Sequence, residues 1–100
     1  MSSPLDELDP VLNAPKRLAA LAMVSSTESV DFAYLRTRLG LNDSDLSKQM
    51  ASLDDAGYVR VTKSGRGPGA TTTYAVTASG RKALVRHRRA LQAVLGLQAG

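Results

Sequence analysis

The chain has 100 residues, 43% of them hydrophobic and 22% charged, a composition typical of a globular domain with one modest core. The absence of cysteine excludes disulfides, thiolate metal sites and thiol catalysis, and the single histidine, His87, cannot form a zinc site of the usual kind by itself. No segment approaches the ~20 consecutive apolar residues of a membrane span, and the acidic start of the chain is unlike a secretory signal. We therefore expect a cytoplasmic protein with no membrane partner and no cofactor.

The net charge of +4 conceals a division of the chain into an acidic part and a basic part. Residues 1–59 carry five basic and all nine acidic side chains, a net charge of −4, whereas residues 60–100 carry eight basic and no acidic side chains, a net charge of +8. An uncompensated block of positive charge favours a polyanionic partner, although a solubilising surface is the simpler alternative.

The first elements predicted along the chain are an arm over residues 1–12 and a helix over residues 13–25. Asn13 is a plausible N-cap of this helix, and Pro15 lies in its first turn, where a missing N–H costs nothing. The segment 18–24 is apolar all round, so we expect this helix either to be central in the fold or to be covered by a second subunit.

Two further helices are predicted before the middle of the chain. Asp31 can cap a helix over residues 32–39, and Gly40 can end it. Asn42 can cap a third helix over about residues 43–56.

The second half of the chain begins with a predicted β-hairpin over about residues 58–76. The segments 58–63 and 71–76 are rich in β-branched and aromatic residues, and the glycine-rich segment 65–69 forms the tip between them. Val30 can add a short third strand. A last helix over about residues 77–97, which Thr77 can cap, completes a single α+β domain that spans residues 1–100. The predicted order is three helices, then the hairpin, then the C-terminal helix.

The third helix has one apolar and one polar face when its residues are placed at about 100° per residue. Leu46, Met50 and Leu53 fall within about 60° of one another on this wheel and are predicted to be buried. Gln49 lies at the edge of this stripe, so we interpret it as a semi-buried residue rather than as one that would contact the bases of a nucleic acid. The small polar side chains of the opposite face could approach base edges closely, although any soluble helix has a polar outer face. The candidate DNA contacts here are Asn42, Ser44, Ser47, Lys48 and Ser52.

The hairpin carries three basic side chains, Arg60, Lys63 and Arg66, with Arg66 in the glycine-rich tip. A flexible tip with an arginine fits beside or inside a minor groove, where A·T-rich segments concentrate negative potential. The simpler alternative is a mobile loop with an incidental charge. The glycines of the tip do not form a nucleotide-binding loop, because the lysine and hydroxyl of that motif are missing and no helix follows directly.

The last helix has an apolar stripe that is typical either of core packing or of a dimer seam. Its members, with the residues beside them, form the expected dimer interface: Leu84, His87, Leu91, Val94 and Leu95. His87 is interpreted as a packed or interfacial residue. We expect no enzyme, because no nucleophile or carboxylate is tied to this histidine by spacing.

These segments together resemble the winged helix-turn-helix transcription regulators of the broad MarR/ArsR kind, and most closely the small, stand-alone members. The segments that carry the resemblance are 15–18, 31–35, 46–50, 56–59 and 74–81. The resemblance implies a winged fold that is usually dimeric, with the third helix in the major groove and the hairpin as the wing. Two positions depart from the pattern: Gln49 stands where such regulators often have His, and Asp45 stands where they often have Asn.

The leading hypothesis is a homodimeric, sequence-specific transcription regulator that binds double-stranded DNA through the third helix and the wing. The first and last helices would form the dimer and hold the two recognition helices about 34 Å apart on an inverted repeat. A small-molecule effector at the dimer seam is conceivable, but no residue specifies its chemistry. The alternative is a winged-helix protein-interaction module that does not bind DNA, although such a module would not require the basic second half.

Overall fold

The computed structural model describes residues 3–96 and confirms the predicted α+β winged helix. In the described residues a 3-10 turn at Pro4–Glu7 precedes four α-helices and three strands. The helices are α1 (Pro15–Ser25), α2 (Phe32–Leu39), α3 (Asp43–Asp55) and α4 (Ala78–Val94). The strands are β1 (Val30–Asp31), β2 (Val59–Ser64) and β3 (Thr71–Val76), and a second 3-10 turn, Gly67–Gly69, lies at the tip of the β2–β3 hairpin. The expected helix over residues 77–97 is shorter in the structure: Thr77 is its N-cap, α4 ends at Val94, and residues 95 and 96 form a turn, while residue 97 lies outside the described residues.

The ends of the helices follow from their capping residues. Gly40 ends α2 in the left-handed conformation, with φ of 66°, which glycine adopts without the steric cost that a Cβ would bring. The prediction of an N-cap at Asn13 is wrong: α1 begins at Pro15, and the cap position is Ala14, which makes no side-chain hydrogen bond. The three other predicted caps form, with side-chain oxygens accepting backbone N–H bonds at Asp31, Asn42 and Thr77.

The three strands form one antiparallel sheet with the order β1-β3-β2. The hairpin register places Val59 opposite Val76 and Ser64 opposite Thr71. The short third strand predicted at Val30 is confirmed, with Val30 opposite Tyr74. Burial alternates only at the start of β2, where Val59 is buried and Val61 half-buried while Arg60 and Thr62 are exposed, and Tyr74 is the one buried side chain of β3.

The core lies between α1, the other helices and the buried face of the sheet. The first of the two expected alternatives for α1 is realised, since it contacts α2, α3, α4 and β3, although Ala19 and Ala22 on its surface are exposed. The expected stripe of α3 is buried, with Leu46 and Leu53 at 0% exposure and Met50 at 2%. Each fully buried leucine stabilises the fold by about 1.5–3 kcal/mol relative to an exposed one. This packing fixes which face of α3 remains available to a partner.

The arm at residues 3–12 begins on the surface of α4 and reaches the core at its end. Ser3 caps the first 3-10 turn in a reciprocal capping box with Asp6, and the turn packs against α4. Leu12 is completely buried, and Asp9 is 7% exposed. The arm therefore connects the surface of α4 to the centre of the domain.

The structure corrects the assignment of His87 to a dimer interface. Its side chain is 1% exposed within its own chain, and its Nδ1 accepts a hydrogen bond of 2.9 Å from the backbone N–H of Asp9. Because the N-terminal arm of the same chain covers His87, this side chain has no accessible surface that a second subunit could contact. Leu84 also packs against the core and Leu91 is half-buried, whereas Val94 and Leu95 are 41% and 66% exposed.

Candidate nucleic-acid interface

The outer face of α3 carries small polar side chains around one lysine. Ser44, Ser47, Lys48 and Ala51 are all exposed and recur three or four positions apart, so they lie on one side of the helix. Side chains this short leave the backbone of α3 accessible to a groove of about 12 Å width. Lys48 supplies the positive charge of this face.

Three of the predicted contacts, Asn42, Ser44 and Ser52, use their oxygen atoms in hydrogen bonds within α3 or its N-cap. The Asn42 Oδ1 accepts hydrogen bonds from the backbone N–H of Asp45, at 2.8 Å, and from the Ser44 hydroxyl, at 3.1 Å. Ser52 is half-buried, and its hydroxyl donates to the backbone carbonyl of Lys48 at 3.3 Å. These three residues therefore stabilise the helix that presents Ser47 and Lys48.

The three basic side chains of the hairpin are exposed, as expected. Arg60 and Lys63 lie on β2, and Arg66 lies in the tip. Arg66 has extended backbone angles and precedes the Gly67–Gly69 turn, so the arginine stands at the far end of the hairpin. The hairpin thus distributes positive charge along its length.

A cleft of about 430 Å³ joins the exposed face of α3 to the hairpin. Ser47 lines it from α3 and Lys63 lines it from β2, so the two predicted contact elements share one concave surface. Met50, Val61 and Tyr74 also line the cleft. The sequence analysis missed two polar residues of this surface, Thr72 and Asp54.

The pairing of the two hairpin strands could have identified Thr72 as part of this surface. Thr72 pairs directly with Lys63, and directly opposed residues lie on the same face of a sheet. Asp54 gave no such signal, since only the packing of α3 on the sheet turns it towards the cleft.

Ion pairs reduce the negative charge at the start of α3. Arg36 binds Asp43 at 2.7 Å, and Lys16 binds Asp45. Hydrogen bonds from Lys16 and Gln49 hold the pKa of the Asp45 carboxyl below its usual range, so that the group stays ionised and paired. A carboxylate engaged in this way repels a nearby phosphate less than a free one would.

A buried polar cluster behind this surface joins the arm to β2 and α4. The Tyr58 hydroxyl donates to Asp9, whose other carboxylate oxygen accepts the backbone N–H groups of Val11 and Leu12. Burial raises the pKa of the Asp9 carboxyl, but these hydrogen bonds outweigh it and leave the pKa below its ordinary value. Burial, together with the bond to Asp9, raises the pKa of Tyr58 to about 12. The cluster thereby fixes the residue that precedes β2.

A second concave surface lies between the arm and α4, away from the α3 cleft. This groove has a volume of about 940 Å³. Pro4, Val85 and Ala93 contribute apolar surface, and four basic side chains outnumber the one acid, Glu7 (the basic residues are Arg81, Lys82, Arg86 and Arg89). Its shape and charge suit a partner with both apolar and anionic parts.

Within residues 3–96, no helix is both long and apolar enough to cross a membrane. The same part of the chain contains no cluster of three or more metal-ligating side chains.

Comparisons with known proteins agree with this geometry. The model of the winged helix DNA-binding domain family matches residues 16–95. Among solved structures, a transcriptional regulator homologue from Pyrococcus horikoshii OT3 is similar with a TM-score of 0.82 and 22% identity, over 93% of this chain and 94% of that chain. A MarR-family regulator from Rhodococcus sp. RHA1 gives a TM-score of 0.72 and 19% identity, over 93% of this chain and 68% of that chain.

NadR, solved in complex with 4-hydroxyphenylacetate, gives a TM-score of 0.67 and 18% identity, over 87% of this chain and 64% of that chain. No curated protein sequence matches the chain. The solved structures share the winged fold that the resemblance to MarR-like regulators implies, and the family match is to a DNA-binding domain. Because that match extends over residues 16–95, the chain belongs to the family of winged helix DNA-binding domains.

Proposed function

We propose that this protein is a dimeric transcription regulator that binds specific sequences in double-stranded DNA. In this proposal α3 enters the major groove, where Ser44, Ser47 and Lys48 contact base edges. The hairpin follows the phosphate backbone through Arg60 and Lys63 and places Arg66 at the minor groove. Asn42 and Ser52 lie at the border of this interface.

The observation that carries the proposal is the cleft shared by α3 and the hairpin. Ser47 and Lys63 come from elements far apart in sequence and line the same concave surface. A base-reading helix beside a positively charged ridge matches the two needs of DNA recognition, since base contacts specify the sequence and phosphate contacts fix the register. The two ion pairs that engage the acids at the start of α3 support the same function.

The exposed end of α4 supports a homodimer. Val94 and Leu95 are large apolar side chains that remain 41% and 66% exposed, and the half-buried Leu91 lies one turn before Leu95. A second copy that covers this end would remove apolar surface from water, which stabilises association. A two-fold axis here would present two α3 helices to successive major grooves, about 34 Å apart. Such a regulator would act in the cytoplasm, where it has access to chromosomal DNA.

The groove between the arm and α4 supports a small-molecule effector that carries a carboxylate. Arg81 and Arg89 can pair with an acid group while Val85 and Ala93 contact an apolar body. The similar fold of NadR holds 4-hydroxyphenylacetate, a molecule of this type. This compound is therefore the first probe: binding should raise the melting temperature, and the Arg89→Ala variant should lose that increase. An unchanged melting temperature across small aromatic and aliphatic acids would argue against an acidic effector.

Fluorescence anisotropy of a labelled random duplex, titrated with protein at several salt concentrations, tests the DNA-binding proposal. Each phosphate neutralised contributes about −0.9 to the slope of log K against log salt concentration, so a slope steeper than about −3 would show several phosphate contacts. A selection from a randomised pool would then yield the operator. Failure to bind any duplex at low salt would refute the proposal and leave a protein-interaction module as the alternative.

A further inference from the structure

One arginine joins three separate parts of the chain behind the recognition helix. The Arg17 Nε donates to the backbone carbonyl of Val11 at 2.6 Å, and its Nη1 donates to the Gln49 Oε1 at 3.1 Å. A single planar guanidinium on α1 therefore links the arm to α3. Because a guanidinium holds its donors in a fixed fork, these two bonds also fix the distance between the arm and α3.

Gln49 continues the connection along α3. Its Nε2 donates to the Asp45 carboxylate at 2.8 Å, and that carboxylate also accepts a hydrogen bond from Lys16. Gln49 is only 8% exposed, so leaving either end of its amide without a partner would cost about 1–3 kcal/mol. The arginine on one side and the carboxylate on the other allow one orientation of the amide, with its oxygen towards Arg17.

The apolar contacts of α3 do not supply the same restraint. Leu46, Met50 and Leu53 attach the helix to the core through hydrophobic burial, which is non-directional and tolerates a small rotation of the helix. Hydrogen bonds lose strength steeply when their angles change. Gln49 directly follows Lys48 in the same helical turn, so a rotation that breaks the bond to Arg17 also moves Ser47 and Lys48.

We propose that Arg17 is a positioning residue for DNA recognition, which sets the rotation of α3 and thereby the placement of Ser47 and Lys48 against base edges. This inference rests on the proposed DNA-binding function. It also gives the arm a role, because the arm supplies the Val11 carbonyl and is held to α4 through the bond between Asp9 and His87. Arg17 itself does not contact DNA in this proposal.

The test compares three variants, Arg17→Met, Gln49→Met and the double variant, with the wild type. Arg88→Met is the matched control, because it removes the same charge from an exposed site on α4. Affinities for the selected operator and for a random duplex are measured below the melting transition of every variant. We expect Arg17→Met to reduce the ratio of the two affinities about tenfold, the discrimination carried by one good base contact, while the salt slope stays unchanged. Arg88→Met should leave the ratio unchanged.

The double variant separates positioning from stability. Replacing both hydrogen-bonding partners by apolar side chains leaves no unpaired buried amide, so its melting temperature should exceed that of Arg17→Met. Discrimination should nevertheless remain as low as in each single variant, since the same connection is broken in all three. Discrimination that recovers together with stability would overturn the proposal and leave Arg17 a purely structural residue.

Two other results would have different meanings. A salt slope that becomes shallower by about 0.9, with equal losses on both duplexes, would make Arg17 a phosphate contact and overturn the positioning role. If the wild type itself binds no duplex, the proposed function fails. In that case, melting temperatures and amide hydrogen exchange in α3 still report whether Arg17 restrains the helix.

Discussion

Replacing Gly80 by alanine tests the junction at which the wing returns to the core. Gly80 lies in the first turn of α4 and is buried against Tyr58, the residue before β2. A Cβ built on Gly80 would lie 2.2 Å from the backbone oxygen of Tyr58, 2.9 Å from its carbonyl carbon and 3.0 Å from its Cα. Since these are backbone atoms, no side-chain rotation can relieve the overlap, and the two segments must separate.

The structure permits an estimate of the cost. Overpacking of a rigid site costs about 1–3 kcal/mol, and separation also weakens the bond of 3.1 Å from the Thr77 N–H to the Tyr58 carbonyl, by about 1 kcal/mol. Alanine recovers about 1 kcal/mol through its better helix propensity. We therefore expect a net loss of about 1–3 kcal/mol in the free energy of unfolding. For a domain of this size, that lowers the melting temperature by about 5–20 °C.

Thermal unfolding followed by far-UV circular dichroism measures this effect, and Gly69→Ala is the control. A Cβ at Gly69 would have no atom within 4 Å apart from those of its chain neighbours, and this glycine does not have a positive φ. Its replacement should be neutral or stabilise the fold by up to about 1 kcal/mol, because alanine lowers the entropy of the unfolded chain. A Gly80→Ala variant that melts at or above the wild-type temperature would refute the argument from close packing.

Further predictions concern the DNA contacts, the buried carboxylate and the proposed dimer. Lys48→Ala should weaken binding to the operator by about 1–3 kcal/mol and binding to a random duplex much less. Arg66→Ala should weaken binding to both duplexes alike and make the salt slope shallower by about 1. Equal losses on both duplexes for both variants would contradict this division of roles. Asp9→Asn should lower the free energy of unfolding by about 1 kcal/mol at neutral pH, because the charged acceptor of three hydrogen bonds is lost. Because folding lowers the pKa of Asp9, its contribution is present above the unfolded pKa of about 4 and disappears as the pH falls through the folded value. Urea titrations should therefore show wild type and Asp9→Asn converging in acid, and a constant difference between pH 7 and pH 2 would exclude this linkage. Leu95→Glu should weaken dimerisation at least about tenfold in sedimentation equilibrium, because the dimer would bury an unpaired charge. The monomer should stay folded, since Leu95 is 66% exposed. An unaltered association constant would show that Leu95 is not in the dimer interface.

Local signals in the sequence predicted most of the fold because they act between neighbouring residues. The caps Asp31, Asn42 and Thr77 each bond to a backbone N–H three positions along the chain, so their spacing identifies the start of a helix. The apolar period of α3 likewise identified its buried face. The cap at Asn13 failed because Pro15 can begin a helix without a side-chain cap, and the sequence pattern does not distinguish the two.

The candidate site was predicted in part. The exposed serines and Lys48 of α3 follow from its helical period, and Arg60, Lys63 and Arg66 follow from the composition of the hairpin. The cleft that joins them depends on how α3 packs on the sheet, which also brings Asp54 to the same surface. The spacing of apolar residues along one helix or strand does not predict how α3 packs on the sheet.

The sequence by itself determined the order of elements, the buried face of α3 and the basic character of the second half, since these depend on composition and on spacings of a few residues. Tertiary structure decided which polar side chains meet. Arg17 and Gln49 are 32 positions apart, and Asp9 and His87 are 78 positions apart. Each pair meets only in the folded chain, because the hydrophobic packing of the core brings the distant segments together. The packing of the arm on α4 places His87 inside its own chain, and the hydrogen bonds of Arg17 link the arm to the recognition helix.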